Sequence, residues 1–140
     1  VLARPDQIDF SGVLTDYKTS APTMQPFNER YVDREILDRG YHMQMALACE
    51  AFEKITGSWP SATGLVFQLK RPPHHVMLRG ISDEALQFGM RQNQRALKQY
   101  RECLDSGDWP GPGAHVGTFI LPEWKVERLT EEFQEMGISI

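Results

Sequence analysis

Two carboxylates and an amine stand at spacings that suit work on a phosphate ester. Asp6 follows Pro5, and ten residues further on comes Asp16-Tyr17-Lys18. Between them, Phe10-Ser11-Gly12 reads as a three-residue hairpin loop, because a glycine in last place accepts the left-handed corner. With that loop Asp9 faces Val13, residues whose numbers add to 22 are opposed, and Asp6 lies across from Asp16. Lys18, two residues beyond Asp16, projects from the same face of the ribbon. Directly opposed residues have Cβ atoms only about 4.5–5.5 Å apart, so two carboxylates there repel. A proton, a nearby cation or a bound metal must offset that repulsion. One ammonium beside two carboxylates leaves a net negative pocket, and carboxylate oxygens suit Mg²⁺ or Mn²⁺, which keep waters and take up phosphate oxygens. A lysine beside such an ion can orient or deprotonate a water and steady the charge that develops on phosphorus. The chemistry this set points to is metal-assisted phosphodiester hydrolysis.

Surface charge pairing is the plainer reading of the same residues. A lone Asp-x-Lys arises by chance in about half of chains of this length, and Pro-Asp about ten residues upstream lowers that to roughly one in a hundred. It is the pair of half-motifs on one face that carries the argument. Gln44 joins them as a candidate, since it sits between Tyr41 and Ala48 on an apolar helical stripe, where a buried amide needs partners. Tyr41, one turn earlier, is a candidate for facing substrate, against the commoner role of core aromatic. Arg91, Arg95 and Lys98 share one side of a helix and could track a phosphate backbone, although most such faces are merely solvated. Lys70 and Arg71, in the Lys-Arg-Pro-Pro connection, are candidates of the same kind. The histidines are weaker: His74 and His75 are adjacent and would point to opposite strand faces, and His42 and His115 have no partner in the pattern. Gly111, Gly113 and Gly117 are interrupted by Pro110 and Pro112 and fit no dinucleotide fingerprint.

The elements that must position these residues follow from periodicity. Residues 2–19 form the hairpin, with Pro5 withholding one ladder donor from its arm. Residues 21–28, with Pro22, Pro26 and Asn28, form a loop. A long helix is expected over residues 29–54, its inner face made by Leu37, Tyr41, Gln44, Ala48, Phe52 and Ile55, with Gly57 as the stop. Strands follow over residues 62–69 and 75–80. A second long helix starts from Ser82 as its cap, with Asp83 and Glu84 in the first turn and a stripe of Leu86, Met90, Asn93, Leu97, Tyr100 and Leu104. Residues 107–113 are a Gly/Pro loop, residues 116–120 a short strand, and residues 123–135 an amphipathic helix. This order implies an α/β domain with a mixed central β-sheet flanked by two long helices.

The whole chain of 140 residues has room for one ordinary domain. With 41% apolar and 24% charged residues its composition is globular, which excludes disorder, collagen and coiled coil as the main state. No apolar run approaches the roughly 18 residues of a membrane span, so no membrane partner is expected. Val1 is preceded by no leader and the chain opens inside a strand-like stretch, the expected look of a C-terminal portion of a longer protein. Cys49 and Cys103 are too few for a disulfide framework or a four-thiolate cluster, and a reducing, cytoplasmic setting is expected. The net charge of −4 argues against a generally basic binder, yet residues 68–101 hold seven basic and two acidic side chains. That stretch is therefore +5 and the remainder −9. Such a partition shifts the balance toward an anionic polymer as partner.

Arg4-Pro5-Asp6, Asp16-Tyr17-Lys18-Thr19, Gly40-Tyr41-His42-Met43-Gln44 and Asp108-Trp109-Pro110-Gly111 occur in that order. The first two resemble the signature of the PD-(D/E)xK nuclease superfamily, and the ordered set resembles the RecE (exonuclease VIII) nuclease family and its phage relatives, over most of the chain. The resemblance implies a restriction-endonuclease-like core and a Mg²⁺-dependent exonuclease that degrades one strand of linear double-stranded DNA from the 5′ end. It further implies a place in phage-type recombination beside a single-strand annealing protein, and a ring-shaped homo-oligomer around DNA. By the same resemblance Asp6, Asp16 and the Tyr17 backbone carbonyl are metal ligands, Lys18 is the catalytic lysine, and Gln44 contacts the site or the scissile phosphate. Members of the superfamily carry an upstream helix whose Glu or His completes the metal shell, so a single nuclease domain without that helix is expected here. Two alternatives stand beside this: another PD-(D/E)xK nuclease, and a catalytically inactive nuclease-fold module that binds DNA or protein. Iron–sulfur members of the superfamily use four cysteines, which two cannot replace.

Overall fold

A computed structural model describes residues 2–111, 113 and 117–138. They fall into two compact units, Val1–Ser106 and Gly107–Ile140.

In the first unit the hairpin forms with the expected loop. Gly12 takes φ +80°, and Oδ1 of Asp9 accepts hydrogen bonds from the Ser11 N–H (2.8 Å), the Ser11 hydroxyl (2.7 Å) and the Val13 N–H (2.9 Å). These donors hold the Asp9 carboxyl below its ordinary value, the Ser11 hydroxyl first among them. Strand β1 (Gln7–Ile8) pairs antiparallel with β2 (Val13–Ser20) in the register Gln7↔Thr15 and Ile8↔Leu14, so opposed residues do add to 22. The β1 arm is shorter than the expected run over residues 2–9. In that register Pro5 would stand opposite Tyr17, and the Tyr17 N–H goes to the Asp6 carboxylate instead of a strand carbonyl. A side chain thus ends the ladder.

The helix expected over residues 29–54 is two helices, α1 (Glu29–Asp38) and α2 (Tyr41–Thr56). Gly40 breaks it, with φ +64°, a conformation that side-chain-bearing residues rarely take. The break rotates the two apolar stripes apart. Leu37 and Ile55, expected on one face with Gln44, are exposed, and the buried residues are Val32 and Ile36 of α1 and Met45, Ala46, Ala48 and Cys49 of α2. Asn28 caps α1 by accepting from the Tyr31 N–H at 2.9 Å, and Gly57 ends α2 in a left-handed cap.

Strands β3 (Ala62–Leu69) and β4 (Val76–Gly80) complete a four-stranded mixed sheet in the order β1-β2-β3-β4. β2 and β3 are parallel, joined by a crossover through α1 and α2, whereas β4 is antiparallel to β3. The chain is therefore α/β, as expected. Leu14, Leu65 and Phe67 from the sheet meet Val32, Met45, Ala46, Cys49 and Leu86 from the helices in one buried cluster.

Helix α3 (Asp83–Ser106) starts at Ser82, whose hydroxyl accepts from the Ala85 N–H at 3.2 Å. Gly89 lets it lie against α2: a Cβ there would stand 2.9 Å from the His42 carbonyl oxygen and 3.0 Å from Ala46 Cβ. Asn93 donates to the Met43 carbonyl (2.9 Å), and His42 Nε2 pairs with Gln92 Oε1 (2.7 Å). The expected stripe of α3 holds for Leu86, Met90 and Asn93 only. Leu97, Tyr100 and Leu104 are exposed, because the core that the first two turns meet does not extend beneath the later ones.

In the second unit helix α4 (Glu123–Glu135) has the expected bounds and buries no residue. Residues 117–120 take no strand pairing, contrary to the strand expected over residues 116–120; they are exposed and no described strand borders them. Val116 and His115 lie outside the described residues.

Candidate active site

The side-chain alternation of β2 decides what can meet. Leu14, Asp16, Lys18 and Ser20 face the helices, while Val13, Thr15, Tyr17 and Thr19 face the other way. β2 lies between β1 and β3, and in its parallel register Asp16 stands beside Leu65 and Lys18 beside Phe67. Asp16 is consequently a carboxylate on the core side, 3% exposed. Burying such a charge without partners would be costly.

Its partners come from β2 and α2. Asp16 Oδ2 forms an ion pair with the Lys18 ammonium, and Asp16 Oδ1 accepts from Gln44 Nε2 at 3.2 Å. The same amide turns its oxygen to Lys18, whose Nζ donates to Gln44 Oε1 at 2.9 Å. The ammonium also lies 4.4 Å from the centroid of the Tyr41 ring, a cation–π separation, and that ring tilts against Phe67 with centroids 6.1 Å apart. Asp16, Lys18, Gln44 and Tyr41 thus form one closed cluster. The Gly40 break makes this possible. The Gly40 carbonyl accepts the N–H groups of Met43 (3.0 Å) and Gln44 (3.2 Å), so α2 starts afresh with Tyr41 and Gln44 on its first turn.

Asp6 is the third acid-base group of the set. Its Oδ2 accepts the Tyr17 N–H at 2.7 Å, which seats an exposed carboxylate against the Asp16–Tyr17 peptide. The main chain of Tyr17 accordingly stays beside the acids. Its ring goes to the opposite sheet face, where the hydroxyl bonds to Gln68. Gln44 is an exposed residue, against the buried position expected, and only its amide reaches inward.

Carboxylate oxygens are donors of the kind that a hard divalent cation takes. Asp16 offers a carboxylate from β2 and Asp6 one from the bend just before β1, and Asp16 Oδ2 is buried yet makes no hydrogen bond, only the ion pair. Among the described residues no three His, Cys, Asp or Glu side chains converge. Two carboxylates are a usual protein share for Mg²⁺, which keeps most of its waters.

The basic candidates lie apart from this cluster in sequence and differ in their engagement. Arg71 is anchored, its guanidinium donating to the Pro22 carbonyl at 2.6 Å. Lys70 is exposed, and its backbone N–H bonds to the Ser20 carbonyl. Arg91, Arg95 and Lys98 are all exposed on α3; Arg91 rests over the Phe88 ring at 5.7 Å, and Lys98 is 3.9 Å from Glu102. Sequence reasoning passed over the fork of Arg79 on Asp33 (2.6–2.9 Å), which ties β4 to α1. No local signal links those two residues, because the pairing exists only once the sheet and helix have met. His42, within the same five-residue segment as Tyr41 and Gln44, was likewise undervalued; through Gln92 it joins α2 to α3.

No family model matches the chain, and no curated protein matches it. No helix among the described residues is long and apolar enough to cross a membrane.

Proposed function

We propose that the protein is a divalent-cation-dependent deoxyribonuclease of the PD-(D/E)xK type with a restriction-endonuclease-like core. The observation that carries this reading is the convergence of Asp16, Lys18 and Gln44 across β2 and α2, with Asp6, just before β1, bonded to the Tyr17 N–H. Phosphodiester hydrolysis needs an activated water, charge stabilisation at phosphorus and a held substrate. Asp6 and Asp16 would hold Mg²⁺ or Mn²⁺, which when bound lowers the pKa of a water and neutralises phosphate charge. Lys18 is the group that moves a proton or meets the developing oxyanion with its Nζ, and Gln44 holds that Nζ in place. By the resemblance, the Tyr17 carbonyl is a further candidate ligand. The exposed Arg91, Arg95 and Lys98, with Lys70, are candidates to contact the phosphate backbone.

The finer parts of the proposal come from the resemblance of the four motifs: linear duplex ends as substrate, 5′-to-3′ polarity, phage-type recombination beside a single-strand annealing protein, a ring of several copies, and a cytoplasmic setting. The deciding experiment is digestion of end-labelled linear duplex DNA with Mg²⁺ and with chelator. The expected result is Mg²⁺-dependent release of label that Lys18→Ala abolishes while DNA binding stays nearly intact. Unchanged cleavage by Lys18→Ala would remove the mechanism.

One observation favours a second reading. Each carboxylate already has a protein partner, Tyr17 N–H for Asp6 and Lys18 with Gln44 for Asp16, as in a nuclease-fold module whose acids fasten the sheet. Absence of both cleavage and Mn²⁺ binding in the wild-type protein would select that module.

A further inference from the structure

Resting on the reading of Asp16 as a metal ligand, we propose that Lys18 is a built-in competitor for the metal: its ammonium occupies Asp16 Oδ2 at rest, and a divalent ion must displace it. Asp16 Oδ2 is shut off from water and makes no hydrogen bond, so its charge is met by the Lys18 ammonium alone among the contacts described. With its surface closed and the ammonium seated on it, that oxygen has no open side for a second cation until the ammonium moves. The ammonium, however, has two other supports, Gln44 Oε1 at 2.9 Å and the face of Tyr41 at 4.4 Å. It can give up Asp16 without losing every partner. Gln44 serves both states, since Nε2 on Asp16 and Oε1 on Lys18 belong to one rigid amide. The lysine is thereby released within the site when the cation arrives, and before then the two charges cancel.

Removing the competing charge should therefore tighten cation binding, whereas a lysine that merely supports the site would weaken binding when lost. Isothermal calorimetry with Mn²⁺ alone distinguishes these. Lys18→Met should bind Mn²⁺ about tenfold or more tighter than wild type, because a unit charge in contact with the ligand has been taken away. Asp16→Asn should lose the heat. Equal or weaker binding by Lys18→Met, with wild type still binding, would overturn the exchange and leave the metal site standing. No binding by either protein would overturn the metal reading and the exchange with it. Should Lys18→Met fail to fold by circular dichroism, the wild-type protein decides. Its Lys18 side-chain nitrogen signal, followed by NMR during Mg²⁺ titration, should move in step with the calorimetric saturation. A signal that stays fixed while the cation binds would refute the displacement.

Discussion

The Asp16–Lys18 pair can be broken from either side, and the two sides should not cost the same. The side chains are 4% and 16% exposed, so neither charge has much water to fall back on. Lys18→Met leaves the Asp16 carboxylate buried with only the Gln44 amide to support it. Breaking a buried pair by removing one partner typically costs 3–5 kcal/mol; with the Gln44 bond to Asp16 kept, about 3 kcal/mol is expected. Asp16→Asn removes a charge but leaves the ammonium on Gln44 Oε1 and over Tyr41. Losing one charge-assisted contact there should cost about 1.5 kcal/mol. The double replacement Asp16→Leu with Lys18→Met puts apolar groups where Leu65 and Phe67 already stand, and should lie within about 1 kcal/mol of wild type. Urea unfolding measures all three, with the slope unchanged if the compactness of both states is preserved. A loss under about 0.5 kcal/mol for Lys18→Met alone would refute the burial argument, since only a solvated pair is that weak.

Three further outcomes follow from the same framework. Gly40→Ala forces a side chain into φ +64° and should lower stability by about 1–2 kcal/mol in thermal melts; a neutral result would mean that α1 and α2 are not broken there. Gly89→Ala places a Cβ 2.9 Å from the His42 carbonyl and should cost about 1–3 kcal/mol, with greater exchange of the α3 amides with solvent. Burial pushes the Cys49 thiol up to about 12, with Asp83 adding to the rise. The folded chain then holds a proton that the unfolded chain gives up near pH 9, so this contribution is complete below pH 9 and fades as pH rises toward 12. Iodoacetamide at pH 8 should label Cys103 and spare buried Cys49 until denaturant is added; equal labelling of both in the folded protein would contradict that burial.

The register of the hairpin was legible in the sequence because loop chemistry and strand alternation are local. Gly12 accepts the left-handed corner, and a period of two then fixes the faces of Asp16 and Lys18. Residues 62–69 and 123–135 were legible for a related reason, one as a short, mostly apolar run closed by the Lys-Arg-Pro-Pro connection, the other through its amphipathic pattern. The break at Gly40 was not. An isolated glycine inside an otherwise periodic helix is tolerated, and only the left-handed conformation of Gly40 shows that α1 ends there and α2 begins anew. The burial expected of Gln44 does not occur. The apolar stripe that seemed to bury it is split, and its actual partners, Asp16 and Lys18, lie 28 and 26 residues away in the chain. The outer half of α3 shows the converse limit: Leu97, Tyr100 and Leu104 keep the helical period, but period alone says nothing of what lies opposite.

Asp9 links the loop to the candidate chemistry. Its three accepted hydrogen bonds pin Ser11 and Val13, and with them the pairing that puts Asp6 against the Asp16–Tyr17 peptide. β1 contributes only two ladder residues, too few to hold register unaided. A slip by one residue would carry Asp6 to the opposite sheet face, since side chains alternate with every step. The two acids therefore depend on different parts of the fold. Asp16 is held by its place between β1 and β3 under α2, whereas Asp6 is held by a surface loop and one hydrogen bond to Tyr17. If a cation binds both, it closes the open side of the hairpin and adds a cross-strand tie that the ladder lacks. Cation binding should then couple to the order of β1 far more than to that of β2.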